Sequence, residues 1–243
     1  ILLKMTQYLD KNVRSIVVDL IDQNEFLDAA QVICDNLGKL VFYKMVRTQF
    51  AENKINDNDL KSSAAMLVPL ICNVNCITTN YDRVLERACL LNEISYDVAS
   101  IRDGYKLTTY YRNPAKKGLI FKIHGDILSN SDDVILSREA YEKHYGNNSE
   151  LRKQLEKWIS GRQFLFLGSS LFNDKPIEIL REMVVDGMFN YVIYPCKQED
   201  IPTLRNRFDK LGIMPIFYDS NKHNDLITLL KYIVFYKNQD PII

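Results

Sequence analysis

The segment Cys76-Ile77-Thr78-Thr79 is short, apolar and β-branched, and it stops abruptly at Asn80-Tyr81-Asp82. β-Branched residues pack well on a pleated surface, so the segment reads as a buried strand. A helical pattern follows at once. Val84, Leu85, Ala88 and Leu91 share one face of a helix from Arg83 to Leu91, which Asp82 is placed to cap. In a parallel α/β sheet, ligands bind outside the carboxyl ends of the strands. Asn80 and Asp82 therefore stand where a binding crevice would open. Taken alone, the same turn also fits two side chains that merely satisfy backbone donors.

Two further stretches repeat the pattern. Leu119-Ile120-Phe121-Lys122-Ile123 breaks into His124-Gly125-Asp126, and Phe164-Leu165-Phe166-Leu167 breaks into Gly168-Ser169-Ser170. The first is nearly continuous in apolar residues, Lys122 excepted, as the buried strands of parallel sheets are. From Phe164 the alternation is regular: strand 164–167, helix from about Lys175 with Pro176 in its first turn, strand 191–194, helix 198–211, strand 213–218 and helix 224–236. Alternating strands and helices with right-handed crossovers predict an α/β fold, a mostly parallel sheet with helices on both faces.

The remaining segments are read more coarsely. Ile94 to Ala99 is a weak strand, and the Tyr-rich stretch from Arg102 to Lys117 is a hairpin or loop. Ser137 caps a short helix through His144, and Glu150 to Ser160 forms another that carries Trp158. The first 74 residues form a helical subdomain: Val13, Ile16, Val17, Leu20 and Ile21 recur at helical spacing, as do Phe26, Ala29, Ala30 and Ile33. These stripes read as core. Asn53 to Asp59 reads as a loop, with Asp59 or Ser62 capping a helix through Leu70.

Charge and cysteine content narrow the function classes. Lys+Arg and Asp+Glu number 31 each, so the formal net charge is zero and long-range attraction to nucleic acid or an anionic membrane is not indicated. No apolar run approaches the roughly 18–20 residues that span a bilayer. The five cysteines, mostly among apolar neighbours, suit a reduced cytoplasmic protein with buried thiols. Cys72 and Cys76 form a poor zinc signal, because neither a second pair nor a nearby histidine accompanies them.

Three apolar strands ending in Thr-Asn-Tyr-Asp, His-Gly-Asp and Gly-Ser-Ser, in that order, resemble the sirtuin superfamily. The resemblance is nearer to its divergent branch of sirtuin-like NAD-hydrolysing domains in bacterial antiphage defence proteins. It spans roughly Cys76 to Asp174 and implies one Rossmann-like domain over residues 1–243, with a helical part at 1–74 and an α/β part at 75–243. Sirtuin deacylases carry a four-cysteine zinc module after the His-Gly strand. This chain has no cysteine between His124 and Ser170, so the resemblance implies an NAD+ hydrolase without a metal. NAD-dependent deacylation and a catalytically silent NAD- or ADP-ribose-binding module are the alternatives.

The resemblance also implies roles for particular residues. Asn80 and His124 match the family's two catalytic residues. His124 suits general-base work because an imidazole titrates near the operating pH. Asn80 can orient a water or a ribose hydroxyl while remaining uncharged. Thr79, Asp82, Gly125, Gly168, Ser169, Ser170 and Asp174 fall on stretches that bind the nucleotide in the family. Asp82 and Asp174 serve equally well as helix caps. The strand ends near Pro195 and Tyr218-Asp219 lie where the adenosine would sit. His144 and His223 read as structural or exposed, and Tyr43 and Phe50 as core, with contact to a ligand as their alternative. As partners, the resemblance implies NAD+ itself and either a second copy of the chain or a fused or separate sensor protein.

One departure stands out. The family begins with a strand leading into a Gly-rich turn whose backbone donors cradle the diphosphate. Residues 1–75 hold a single glycine, Gly38. Either the sequence is part of a longer chain or NAD binding has been lost, and Ile1-Leu2-Leu3-Lys4, which reads as the middle of a helix, favours the first expectation.

Overall fold

A computed structural model describes residues 1–72, 75–103, 106, 110, 118–130, 133–146, 149–168, 171 and 190–239. The chain forms two compact units, Ile1–Leu151 and Arg152–Ile243.

The first unit opens with the expected helices: α1 (Leu2–Met5), α2 (Lys11–Asp22), α3 (Phe26–Leu37) and α4 (Lys39–Gln49). Asp10 starts α2 by accepting from the backbone N–H groups of Asn12 and Val13, both at 3.0 Å. Gly38, at φ +80°, turns the chain between α3 and α4. Val17, Ala29, Ala30, Ile33, Phe42 and Val46 are fully buried and form the core, as the stripes foretell for the first four, whereas Ile16 and Phe26 of the same stripes are exposed because their helix positions turn away from it. The next helix, α5 (Asp57–Lys61), begins earlier than expected. Its cap is Asn56, which accepts from Asn58 and Asp59 N–H at 2.9 and 3.3 Å, so neither Asp59 nor Ser62 has that role. Then come α6 (Val68–Cys72), β1 (Cys76–Thr78), α7 (Val84–Leu91), β2 (Tyr96–Ser100), β3 (Gly118–Lys122), α8 (Arg138–Tyr145) and α9 (Glu150–Ile159), which runs on into the second unit.

The first sheet has the order β1-β3-β2, all parallel. β3 lies between its two neighbours and is buried along its whole length, which accounts for its apolar sequence. The helical segment packs in the same unit. Ile127 and Val134, just beyond β3, join the core of α2, α3 and α4. The Tyr43 hydroxyl donates to the Val134 carbonyl at 3.0 Å, and Arg138 of α8 pairs with Asp28 of α3.

The second unit contains β4 (Leu165–Leu167), β5 (Asn190–Cys196), α10 (Ile201–Asp209), β6 (Ile213–Asp219) and α11 (His223–Asn238). Its sheet is parallel in the order β4-β5-β6, and β5 and β6 pair from Asn190↔Ile213 to Cys196↔Asp219. The Phe164 N–H donates to the Asn190 side chain at 2.9 Å, and β4 begins one residue later than the sequence suggests. Phe208 is fully buried between Tyr194 and Phe217, with ring centroids 5.1 and 6.2 Å away. Every described strand pairing is thus parallel, as expected, but the single sheet that the alternation predicts is, among the described residues, two three-stranded ladders. The expected helix from Lys175, with Pro176, lies outside the described residues, as does most of the stretch from Arg102 to Lys117.

Candidate active site

The site is built where β1 and β3 end. Their register places Thr78 opposite Lys122, and the Ile123 N–H donates to the Thr78 carbonyl at 3.0 Å. Asn80 and His124 each stand two residues beyond that shared rung. The turns that carry them are tied together. Ile127 N–H donates to the Tyr81 carbonyl at 3.1 Å, and the Tyr81 hydroxyl donates to the Ile135 carbonyl at 2.6 Å. Ile135 N–H in turn donates to the His124 carbonyl at 2.8 Å.

Asn80 and Thr79 are exposed, and the Asn80 N–H donates to the Thr78 hydroxyl at 3.1 Å. This local bond lets the backbone leave the strand sharply while the Asn80 side chain faces outward. Asp82 accepts from the Val84 N–H at 3.0 Å, a local bond across the turn into α7, whose N-cap position is Arg83. His124 is half-buried and framed by aromatic rings: Tyr81 at 6.2 Å, Tyr141 at 6.1 Å and Tyr145 at 5.8 Å between centroids. Tyr141 and Tyr145 lie one turn apart on α8 and present both rings to one place. The cage fixes the plane of the imidazole. Tyr81 leans in turn on Phe50, with centroids 5.7 Å apart.

Gly125 takes φ +90°, and a Cβ there would lie 1.8 Å from the carbonyl oxygen of Asp133. The His-Gly pair is therefore a steric requirement of the turn as well as a motif. Beneath both turns lies a charged cluster. Lys122, Glu86 and Asp126 are all buried, and Lys122 Nζ stands 2.9 Å from Glu86 and 3.1 Å from Asp126. Arg83 closes the cluster at 3.4 Å from each carboxylate. The cysteines flanking this sheet are poor nucleophiles. Burial pushes the Cys76 thiol far up, and the Cys89 thiol up to about 12.

The other expected site residues lie in the second unit. Gly168 ends β4 at φ +66°. Ser169, Ser170 and Asp174 lie outside the described residues. Pro195 pairs with Tyr218, and Tyr194, Pro195, Lys197, Asp200 and Thr203 help to line a cavity of about 420 Å³. His144 lies in the last turn of α8 and His223 is exposed at the start of α11. Sequence reasoning missed the tyrosine cage and the role of Lys122. The signals were a lone charge inside an apolar strand and two tyrosines at helical spacing.

A family model described as a SIR2-like domain matches residues 74–216. Among curated proteins, the NAD(+) hydrolase ThsA of Cytobacillus dafuensis is 26% identical over 183 residues, which is 73% of this chain and 35% of that protein. NAD(+) hydrolase ThsA of Enterococcus faecium is 36% identical over 103 residues, covering 42% of this chain and 20% of that protein. NAD(+) hydrolase ThsA of Bacillus cereus (strain MSX-D12) is 26% identical over 179 residues, covering 72% and 35%. The matched region spans about a third or less of the length of these relatives.

Proposed function

The chain belongs to the SIR2-like domain family, and from that premise we propose that it hydrolyses NAD+ to nicotinamide and ADP-ribose. One observation carries the reading: Asn80 and His124 stand at neighbouring strand ends, each two residues past the same rung of the β1–β3 ladder. The names of the matched relatives point the same way.

In this reading the nicotinamide leaves C1′ of its ribose as a neutral ring, and positive charge develops on the sugar. Asn80 orients the attacking water or a ribose hydroxyl. His124, held between Tyr81, Tyr141 and Tyr145, takes the proton that the nucleophile releases. Thr79 and Gly125 border the ribose. Gly168, Ser169 and Ser170 bind sugar or phosphate, and Asp174 completes that stretch. Asp82 holds the turn beside Asn80 or stabilises the positive charge that develops on the sugar.

The reading uses no metal, since the cysteines of a deacylase zinc module are missing between His124 and Ser170. Among the described residues no helix is long and apolar enough to cross a membrane. We place the protein in the cytoplasm, acting in antiphage defence by depleting NAD+, an abortive response of the infected cell. We place it there as a homo-oligomer or with a fused or separate sensor, and without direct nucleic-acid binding.

The test is nicotinamide release by the full chain. His124→Ala is expected to lower turnover by roughly 10²–10⁴-fold with melting little changed. Asn80→Ala is expected to lose turnover while calorimetric NAD+ binding persists, because only interactions stronger in the transition state accelerate a reaction. Wild-type turnover in His124→Ala would refute the assignment.

A further inference from the structure

Lys122 interrupts an otherwise apolar, fully buried strand, and its side chain is 1% exposed. A buried cation is tolerated only when paired and hydrogen-bonded, and Lys122 is supplied from three segments. Glu86 comes from α7 and Asp126 from the His124 turn, at 2.9 and 3.1 Å. The carbonyls of Tyr81, at 3.3 Å, and Asp82 come from the Asn80 turn. Asn80 directly precedes the first of these carbonyls, and His124 lies two residues before Asp126. One ammonium thus grips the turns that carry both residues, from below and without facing the crevice.

We infer that Lys122 is a positioning residue that sets the spacing of Asn80 and His124. The inference rests on the reading that these two residues act on NAD+. The cluster explains how the device is kept rigid. Arg83 approaches both carboxylates at 3.4 Å, so two cations and two carboxylates balance. Asp126 is itself fixed by accepting from the Leu128 N–H at 2.8 Å. If Lys122 let go, the Tyr81 and Asp82 carbonyls would lose their buried donor, and the Asn80 turn would relax against the His124 turn.

Removing Lys122 alone leaves two buried carboxylates facing one arginine, and folding could fail for that reason. The informative variant is therefore Lys122→Met with Glu86→Gln, which keeps one cation, Arg83, and one carboxylate, Asp126. In the full chain this double variant is expected to melt close to the parent and to bind NAD+ with nearly the parent's affinity. Its kcat is expected to fall about 100-fold, the effect of a misplacement near 1 Å. A second readout needs no turnover. The chain has three histidines, His124, His144 and His223, and the Tyr81, Tyr141 and Tyr145 rings frame the first. In NMR spectra the ring-shifted His124 imidazole signals are expected to move, while those of the other two stay.

An unmoved His124 signal in the folded double variant overturns the inference, and so does a moved signal with parental kcat. A double variant that does not fold overturns it too, since the cluster would then be a structural anchor. If the parent chain releases no nicotinamide, the NAD+ reading fails, and the NMR comparison alone still decides whether Lys122 places His124.

Discussion

Two strand ends in this molecule carry a glycine in the left-handed region, and they are built differently. Gly125 follows β3 at φ +90° and Gly168 follows β4 at φ +66°. A Cβ on Gly125 would collide with the Asp133 backbone at 1.8 Å, whereas one on Gly168 meets nothing within 4 Å. Conformation and space together dictate the first glycine; conformation alone dictates the second. Their surroundings differ in the same sense. The β3 end is cross-tied by a buried ring of charges and by hydrogen bonds to the segment around Ile135. The second unit rests on seven paired positions between β5 and β6 and on the aromatic packing of Phe208. Proximity between two polar turns needs directional, non-local ties. A scaffold needs only register and apolar contact.

The largest effect is expected where the first strand end depends most on charge. Lys122→Met alone strands Glu86 and Asp126 with only Arg83 as counterion. Breaking a buried pair from one side typically costs about 3–5 kcal/mol. Urea denaturation of the single variant should show a loss of that order, and adding Glu86→Gln should restore much of it. A loss below about 1 kcal/mol would mean that the cluster is effectively solvated, with the weak worth of surface pairs, and the contrast with the apolar second unit would collapse.

Next comes Gly125→Ala. The left-handed backbone costs an L-residue about 1–2 kcal/mol, and moving the Asp133 backbone aside adds roughly 1–3 kcal/mol of overpacking. Because Asp133 neighbours the Val134 and Ile135 segment that binds His124, turnover should fall along with stability. An alanine variant of parental stability would show that the turn yields readily.

Much of this was legible in the sequence, and what was not has a common cause. The ends of β1 and β3 were readable because apolar runs break there into polar residues, and Ser137 was readable as the cap of α8. Lys122 could be seen as an exception but not explained. Its partner Glu86 lies 36 residues earlier, on a helix whose periodicity says nothing of what its buried acid meets. The cap of α5 went to Asn56 over Asp59 because the backbone turned earlier than the polar run revealed. Strand existence is a local property, and the run at Phe164 to Leu167 predicted β4 well. Which strands pair is not local, so the two three-stranded ladders could not be read from the runs themselves.

The smallest stability effect is expected at Gly168, and it sharpens the comparison most. With no neighbour inside 4 Å, Gly168→Ala should cost only the left-handed penalty, about 1–2 kcal/mol, measured by the same urea titration. A loss as large as that of Gly125→Ala would erase the distinction between the two turns. Function gives the second axis. If Gly168 lets the backbone approach the ribose or phosphate, the added methyl should raise KM for NAD+ while kcat stays near parental, because it obstructs binding in ground and transition states alike. If the glycine serves only its own turn, both constants should stay parental once the folded fraction is corrected for. A raised KM with a small stability loss is the pattern expected of a glycine kept for a ligand, and Gly125 should show the reverse, a large stability loss with turnover falling alongside it.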